Sequence, residues 1–269
     1  MPLRSLAGRP KGPSRGQLSI FIVVSVFIVI LLGLLYFRVV RTEKRVSEFT
    51  KTSQQWDVDS IRGAVQACVN KVSTDAVFYF GMVGGRTDYF KSFYVYDDLY
   101  KIPFYFRFGA GMMPSNEHVE KDIMSIYITE HVPQCVRPTI SHITGFRITE
   151  GQVASITKIN EKTVDVKVEY PLTITKLDQS TTIKDFSFSL QSRLFDMLRI
   201  TREIVDLEKQ DQSVVHWDYL SDVTSLGYNI TAHAEEGQTI VYRIVDPQSK
   251  IFFEPFIFQF ANQVKVMDR

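Results

Sequence analysis

The pattern of apolar and polar positions separates an N-terminal apolar run from a longer, mixed remainder. Residues 17–37 contain no charged side chain, and the run LSIFIVVSVFIVILLGLLYF is almost wholly apolar. About twenty helical residues at a rise of about 1.5 Å match a hydrocarbon core of about 30 Å. A helix buried in a protein core would usually carry a polar stripe over so many turns. We therefore predict a transmembrane helix over residues 17–37.

A stalk and a second helix are predicted after this run. Residues 38–56 have helix-forming residues of mixed charge and few apolar anchors, so a solvated helical stalk is expected to continue the membrane helix. Asp59 is a candidate N-cap of the next helix, and Gly84-Gly85 is expected to end it. Apolar residues recur within it at steps of three and four, at Ile61, Val65, Cys68 or Val69, Val72 and Ala76.

The next segments combine aromatic strands with a further helix. Residues 89–108 are rich in aromatic side chains and fit two short strands joined by a turn at Asp97-Asp98. Pro114-Ser115 is predicted to open a helix in which Val119, Ile123 and Ile126 face inward. Pro133 is predicted to end this helix because proline removes a backbone donor and clashes with the preceding turn.

Residues 146–190 change to a period of two, which is typical of half-buried antiparallel strands. The alternation is clearest where Val164, Val166, Val168 and Tyr170 are separated by Asp165, Lys167 and Glu169. An amphipathic helix is predicted from Leu194 to Leu207, and strands then return, with turns at Glu235-Glu236-Gly237 and Asp246-Pro247. The predicted fold class is α+β: a transmembrane helix and helical stalk, then one ectodomain of antiparallel sheet with flanking helices over residues 57–269.

Charge favours one orientation in the membrane and one class of partner. Residues 1–16 carry four basic residues and no acidic one, and such short positive segments resist translocation. We predict that residues 1–16 are a cytoplasmic tail and that the C-terminal domain lies outside the cell membrane. The opposite orientation stays open because basic residues also follow the helix. Residues 52–269 carry 28 acidic and 22 basic residues, a net charge of −6, which argues against nucleic acid as a partner.

The two cysteines and one sequon are candidate modification sites. Cys68 and Cys135 form an even pair, and in an exported domain such a pair most simply forms a disulfide; two buried thiols are the alternative. Asn229-Ile230-Thr231 would permit N-glycosylation of Asn229. Zinc ligation is not expected because no CxxC or closely spaced histidine accompanies either cysteine.

Catalytic, cofactor and metal signatures do not stand out. Five histidines are scattered without metal-binding spacing, and no nucleophile elbow, phosphate loop or dinucleotide fingerprint occurs. We therefore predict no catalytic residue, cofactor or metal. Tyr94, Tyr96 and Tyr100 could form an aromatic surface that stacks on sugar rings or anchors a protein, with core packing as the alternative.

The segment Arg15-Gly16-Gln17-Leu18-Ser19-Ile20-Phe21 resembles the archaeal pilin-like, class III signal peptide. That resemblance implies processing between Gly16 and Gln17, although Phe21 stands where pilins of this type usually carry an acidic residue. The order of basic tail, membrane helix, cysteine-bearing helix and aromatic segment is similar to an uncharacterised family of archaeal single-pass envelope proteins. That similarity implies no known activity.

These observations favour a signal-anchored, single-pass, non-enzymatic cell-envelope protein whose partners are the lipid bilayer and another envelope protein, a surface glycan or a second copy. A pilin-like subunit of a surface filament and a glycan-binding envelope protein are the alternatives. A membrane-bound hydrolase also stays open, because catalytic residues from distant segments leave no local signature.

Overall fold

The computed structural model describes residues 28–30, 32–33, 58–85, 94–97, 100–212, 214–235 and 238–264. Contacts divide the chain into Met1–Asp57 and Val58–Arg269. The predicted tail and stalk and most of the predicted membrane helix lie outside the described residues, although 28–30 and 32–33 are helical. Within the described ranges, no helix combines the length and the apolar character needed to cross a bilayer.

Helix α1 is helical from residue 58 through residue 82. Its predicted stripe is confirmed, because each of the following is buried: Ile61, Val65, Cys68, Val69, Val72 and Ala76. Gly84 and Gly85 follow the helix with φ angles of +56° and +69°, which glycine adopts without steric cost. The prediction of Asp59 as N-cap is wrong, because residue 58 is already helical.

Six strands form the first sheet, here called sheet 1. They are β1 (Tyr94–Asp97), β2 (Tyr100–Arg107), β3 (Ala110–Gly111), β8 (Asn229–Glu235), β9 (Thr239–Ile251) and β10 (Glu254–Gln263). The order is β1-β2-β10-β9-β8, with β3 beside β2. Strands β2 and β10 are parallel and the other pairs antiparallel, so the prediction of a wholly antiparallel sheet is wrong at one pair. The C-terminal hairpin β9–β10 docks against β2 from a distant part of the chain.

Sheet 2 contains β4 (Arg147–Glu150), β5 (Ala154–Ile159), β6 (Thr163–Lys176) and β7 (Gln179–Gln191). Strand β6 is central: β4 and β5 pair with successive parts of one edge, and β7 pairs along the other. The predicted alternation in β6 is confirmed, because Val164, Val166, Val168 and Tyr170 are buried. Apolar side chains on one face are thereby directed toward the helices.

The remaining helices are α2 (Asn116–His118), a π-helical segment (Val119–Ser125), α3 (Ile126–Ser141), α4 (Leu194–Gln210) and α5 (Trp217–Ser225). Ser115 caps α2 by accepting a hydrogen bond from the His118 amide. Ile126 is exposed rather than inward-facing, because the wider π turn changes which side chains face the core. Pro133 does not end the helix: α3 continues through it, with Val132 and Val136 buried on either side.

Two large apolar cores lie between the sheets and the helices, and a third, smaller cluster lies on sheet 1. The sheet 2 core combines the first part of α1, from Val58 to Ala76, with α3, β6 and β7. The sheet 1 core combines Val77 and Phe80 of α1 with α4, α5, β9 and β10. Helix α1 therefore contributes to both cores in succession.

Candidate interaction site

The predicted disulfide is present between Cys68 of α1 and Cys135 of α3, whose Cα atoms are 5.7 Å apart. The apolar stripe of α1 places Cys68 against α3, and α3 reaches Cys135 because it continues past Pro133. The covalent bond therefore joins the two helices that cover sheet 2. Its role is structural, since both cysteines are used in the bond.

The predicted aromatic surface is only partly formed. Tyr94 lies on β1 and Tyr100 on β2, and both are half-buried, while the side chain of Tyr96 lies outside the described residues. The Lys101 ammonium lies 4.8 Å from the centre of the Tyr94 ring and covers one of its faces. Later aromatic residues of the segment pack inward, as Tyr105 does. The core-packing alternative is therefore correct for that inner part.

The glycines near the end of α1 serve packing. A Cβ atom on Gly81 would lie 2.2 Å from the Ile257 carbonyl oxygen, and one on Gly84 would lie 2.2 Å from that of Gln259. The Tyr105 hydroxyl donates a hydrogen bond to the Gly84 carbonyl. These contacts bring the end of α1 directly against β10, which no side chain larger than hydrogen would permit.

Two carboxylates are fully buried, Glu208 on α4 and Asp246 on β9, and the sequence patterns did not identify either. Glu208 accepts hydrogen bonds from the Tyr242 hydroxyl and the Asn262 amide. Burial raises the pKa of Glu208, and these two hydrogen bonds oppose the rise only in part. The Asn262 carbonyl oxygen is buried without a partner, and a rotated amide would let a protonated Glu208 donate to it. Both observations fit a neutral Glu208.

Asp246 is the second buried carboxylate, and it pairs with Phe256 within β9, just before a bulge, rather than lying in the predicted Asp246-Pro247 turn. The strand continues because Asp246 is held by Arg193, with Nε 3.0 Å from Oδ2, and by the Gln248 amide at 2.9 Å. Burial alone would raise the pKa of Asp246, but the bonds from Arg193, Ser249 and Gln248 together lower it. This carboxylate is therefore charged and joins β9 to the start of α4.

No catalytic arrangement emerges around these groups in the described residues, and no cluster of three metal-ligating side chains occurs there. His131 has a packing contact rather than a catalytic one: its ring stacks on that of Tyr127, with centres 4.0 Å apart. An open groove of about 430 Å³ on sheet 2 is lined partly by Lys167, Glu169 and Asp185, and Lys184 pairs with Glu169 at 3.7 Å. These are surface charges without a nucleophile and base in contact.

The two-residue turn between β9 and β10 has residue types that are unusual for its backbone conformation. Phe252 and Phe253 alone connect the two strands, and their φ angles are +53° and +71°. Such turns favour Asn-Gly, because a left-handed conformation costs other residues about 1–2 kcal/mol each. Phe253 is 94% exposed and Phe252 51% exposed. The chain therefore keeps two large apolar side chains in solvent where small residues would be more stable.

One side of the Phe252-Phe253 turn packs against α1. The Phe252 ring meets the Phe78 ring edge to face, with centres 5.7 Å apart, which fixes the direction of the turn. Phe253 projects beyond it, flanked by exposed Lys250 and Glu254. The arrangement is a protruding aromatic pair with a polar margin, which we call the aromatic turn.

Two other hairpin tips carry an apolar residue with positive φ, and neither resembles the aromatic turn. Phe108, between β2 and β3, is exposed, but the Arg107 guanidinium lies 4.6 Å from its ring centre. Leu177, between β6 and β7, is exposed alone. The sequence signal for Phe252-Phe253 was two adjacent apolar residues that break the alternation of period two. Without glycine or asparagine, that signal did not indicate a turn.

The remaining predicted sites are placed as follows. Asn229 is the first residue of β8 and is exposed. Gly16 and Gln17 lie outside the described residues. Comparison with protein-family models, with curated proteins and with solved structures found no match.

Proposed function

We propose that this is a single-pass, non-enzymatic cell-envelope protein that presents residues 57–269 outside the membrane and binds a neighbouring envelope protein through the aromatic turn. The observation that carries the proposal is the nearly complete exposure of Phe253 in a strained backbone conformation. Strain of this kind persists where function requires it, and exposed aromatic anchors dominate protein interfaces.

A protein partner fits the aromatic turn better than a lipid surface does. Lys250 and Glu254 flank it with opposite charges, so it has no basic excess to attract anionic headgroups. Phe78, which contacts Phe252, lies about 30 Å along α1 from residue 58, where the chain enters the domain. An aromatic centre with a polar rim is the usual composition of a protein-binding patch.

The disulfide and the apolar run support the proposed location. A bond between Cys68 and Cys135 is expected to persist in an oxidising compartment outside the cytoplasm. The uncharged residues 17–37, preceded by an unopposed basic tail, favour a signal anchor with its N-terminus in the cytoplasm.

The location can be tested in sealed cells. Externally added protease is expected to cleave the domain in intact cells, more readily after a membrane-impermeant reductant has opened the disulfide, and to leave the N-terminal tail intact. Thiol labelling before reduction should find neither cysteine reactive. A domain that external protease reaches only after the cells are broken would place it on the cytoplasmic side and overturn the proposed orientation.

The partner contact can be tested with two matched variants of the full-length protein. Phe253→Gly removes the protruding ring, whereas Phe108→Gly removes another exposed phenylalanine that also has a positive φ. Crosslinking in native membranes should give a partner band that is lost in the first variant and kept in the second. Equal bands in both variants would exclude the aromatic turn as the contact.

A pilin-like subunit is the second candidate, because Arg15-Gly16-Gln17 resembles a class III processing site. Mass spectrometry of the mature protein distinguishes the two functions. An N-terminus at Gln17 would favour the filament subunit, and an intact tail would exclude that processing.

A further inference from the structure

Both edges of sheet 2 donate hydrogen bonds to other parts of the domain or accept them from there. Strand β5 donates from its Thr157 amide to the Ser125 hydroxyl at 3.0 Å and from its Ile159 amide to Glu120 at 2.8 Å. The π-helical segment thus occupies the outer edge of β5. On β7, the Gln66 side chain donates to the Ser187 carbonyl at 2.8 Å. Covering an edge prevents its unpaired backbone groups from binding another strand.

Strand β8 forms the outer edge of sheet 1 and has no such cover. It pairs with β9 in an unbroken register over seven residues, and no described residue hydrogen-bonds to its other edge. Its sequence, NITAHAE, contains no proline, lysine or glycine, and the pairing with β9 has no bulge. Of the devices that normally protect an edge strand, β8 carries only one exposed acidic residue, Glu235, at its end.

The side chains of β8 are complementary to the same strand running in the opposite direction. A two-fold axis at Ala232 aligns all seven residues of two copies. The opposed pairs are then Asn229 with Glu235, Ile230 with Ala234, and Thr231 with His233. No two like charges face each other, and each outer pair joins a donor to an acceptor.

The two faces of β8 also match in this arrangement. Ile230 and Ala232 pack against the sheet 1 core, while Thr231 and His233 are exposed on the opposite face. A two-fold axis perpendicular to the sheet keeps the apolar sides together and the polar sides together. Pairing would therefore continue the apolar face and the polar face of β8 into the second copy without burying a charged residue.

We propose that β8 pairs antiparallel with β8 of a second copy of this chain, so that sheet 1 continues across a homodimer. Seven residues of edge bury less than the roughly 800 Å² per partner of a standard interface, so the contact is weak between freely diffusing copies. Two copies anchored in one membrane would meet at high effective concentration. The dimer does not involve the aromatic turn and leaves it exposed.

Register-specific disulfide trapping tests this pairing in liposomes that contain the full-length protein. One tagged copy carries Thr231→Cys and a differently tagged copy carries His233→Cys. On mild oxidation, the mixed dimer should exceed each same-variant dimer by about tenfold, because Thr231 opposes His233 and not itself. Reductant should remove the band.

A matched exposed position supplies the control. Thr181→Cys lies on β7 and should crosslink no more than random collision allows. Equal yields from all combinations, or no mixed dimer, would overturn the proposal. A second pair of copies carries Asn229→Cys in one and Glu235→Cys in the other, and these cysteines should also crosslink. Adding Thr231→Lys to both copies should abolish that crosslink. Phe253→Gly should leave the crosslink unchanged, so a failure of the partner-binding function and a failure of the dimer are distinguishable.

Discussion

The sheet 1 core and the sheet 2 core are closed by different kinds of interaction. Two helices over sheet 2 are joined covalently through Cys68 and Cys135, and its core contains no buried charged residue among those described. Beside sheet 1, Glu208 and Asp246 are both fully buried, and noncovalent contacts alone stabilise them. The comparison teaches that burial can raise the pKa of one carboxylate, Glu208, while hydrogen bonds from a guanidinium and other donors lower that of an equally buried one, Asp246.

Removal of the disulfide should give the largest change. In Cys68→Ala combined with Cys135→Ala, we expect the free energy of unfolding to fall by about 4 kcal/mol, because the bond closes a loop with a sequence separation of 67. Chemical denaturation of the full-length protein measures it. Reduced wild-type protein should show a similar loss, and an unchanged denaturation midpoint in both would contradict the assignment of the bond as a stabilising clamp.

Loss of the cation beside Asp246 comes next. Arg193→Met should lower the free energy of unfolding by about 3 kcal/mol, because the buried carboxylate keeps its desolvation cost without its partner. Arg199→Met is the control on the same helix: its exposed pair with Glu203 should be worth less than about 1 kcal/mol.

The pH dependence of Asp246 follows from the direction of its pKa. The folded-state pKa lies below the usual 3.8, so this carboxylate stabilises the fold above that value. The stabilisation is lost as the pH falls through the lowered pKa. Arg193→Met should therefore flatten the unfolding profile below about pH 4. A profile as steep as that of wild type would contradict the pairing.

The two halves of α1, one against each core, can be compared through their glycines. Gly81→Ala should destabilise the sheet 1 side by about 2 kcal/mol, since its Cβ would clash with the Ile257 carbonyl. Gly63→Ala has open space around the added methyl group and should stabilise the helix by about 1 kcal/mol. Thermal unfolding of both variants measures the difference. Shifts of the same sign would show that the close approach to β10 is wrong.

Glu208→Gln should give the smallest effect, and it should be stabilising at high pH. The raised pKa means that Glu208 stabilises the fold below its usual 4.5 and loses this contribution as the pH rises through the folded-state value. Glutamine keeps the acceptor for Tyr242 and cannot ionise, so the variant should gain about 1 kcal/mol at pH 8 relative to pH 4. Unfolding profiles at several pH values test this, and a parallel profile would indicate an ionised Glu208.

Local patterns predicted the elements that one periodicity controls. The stripe of α1 and the alternation in β6 identified buried residues directly, and the cysteine pair followed from composition. The failures have tertiary causes. Pro133 lies inside α3 because burial of Val132 and Val136 outweighs a lost backbone hydrogen bond, and Asp246-Pro247 lies in a strand because Arg193 compensates the carboxylate. The short helix α5 has too few residues to show a clear period.

The candidate site was harder to predict than the fold. Tyr94 and Tyr100 stood out by density of aromatic residues, yet density also marks core segments, and neither ring is fully exposed. Phe252 and Phe253 were hidden because their sequence contains none of the residues that signal a turn. Only the strand register reveals that they protrude.

Because α1 enters the sheet 2 core before the sheet 1 core, it determines how the domain would bear a mechanical load. A pull at residue 58 reaches Cys68 first, and the covalent bond there transfers tension into α3. Val77 lies about 13 Å further along the helix, so the sheet 1 core receives force only after that joint. An anchored domain built in this order would keep β8 and the aromatic turn in shape while its base is under tension.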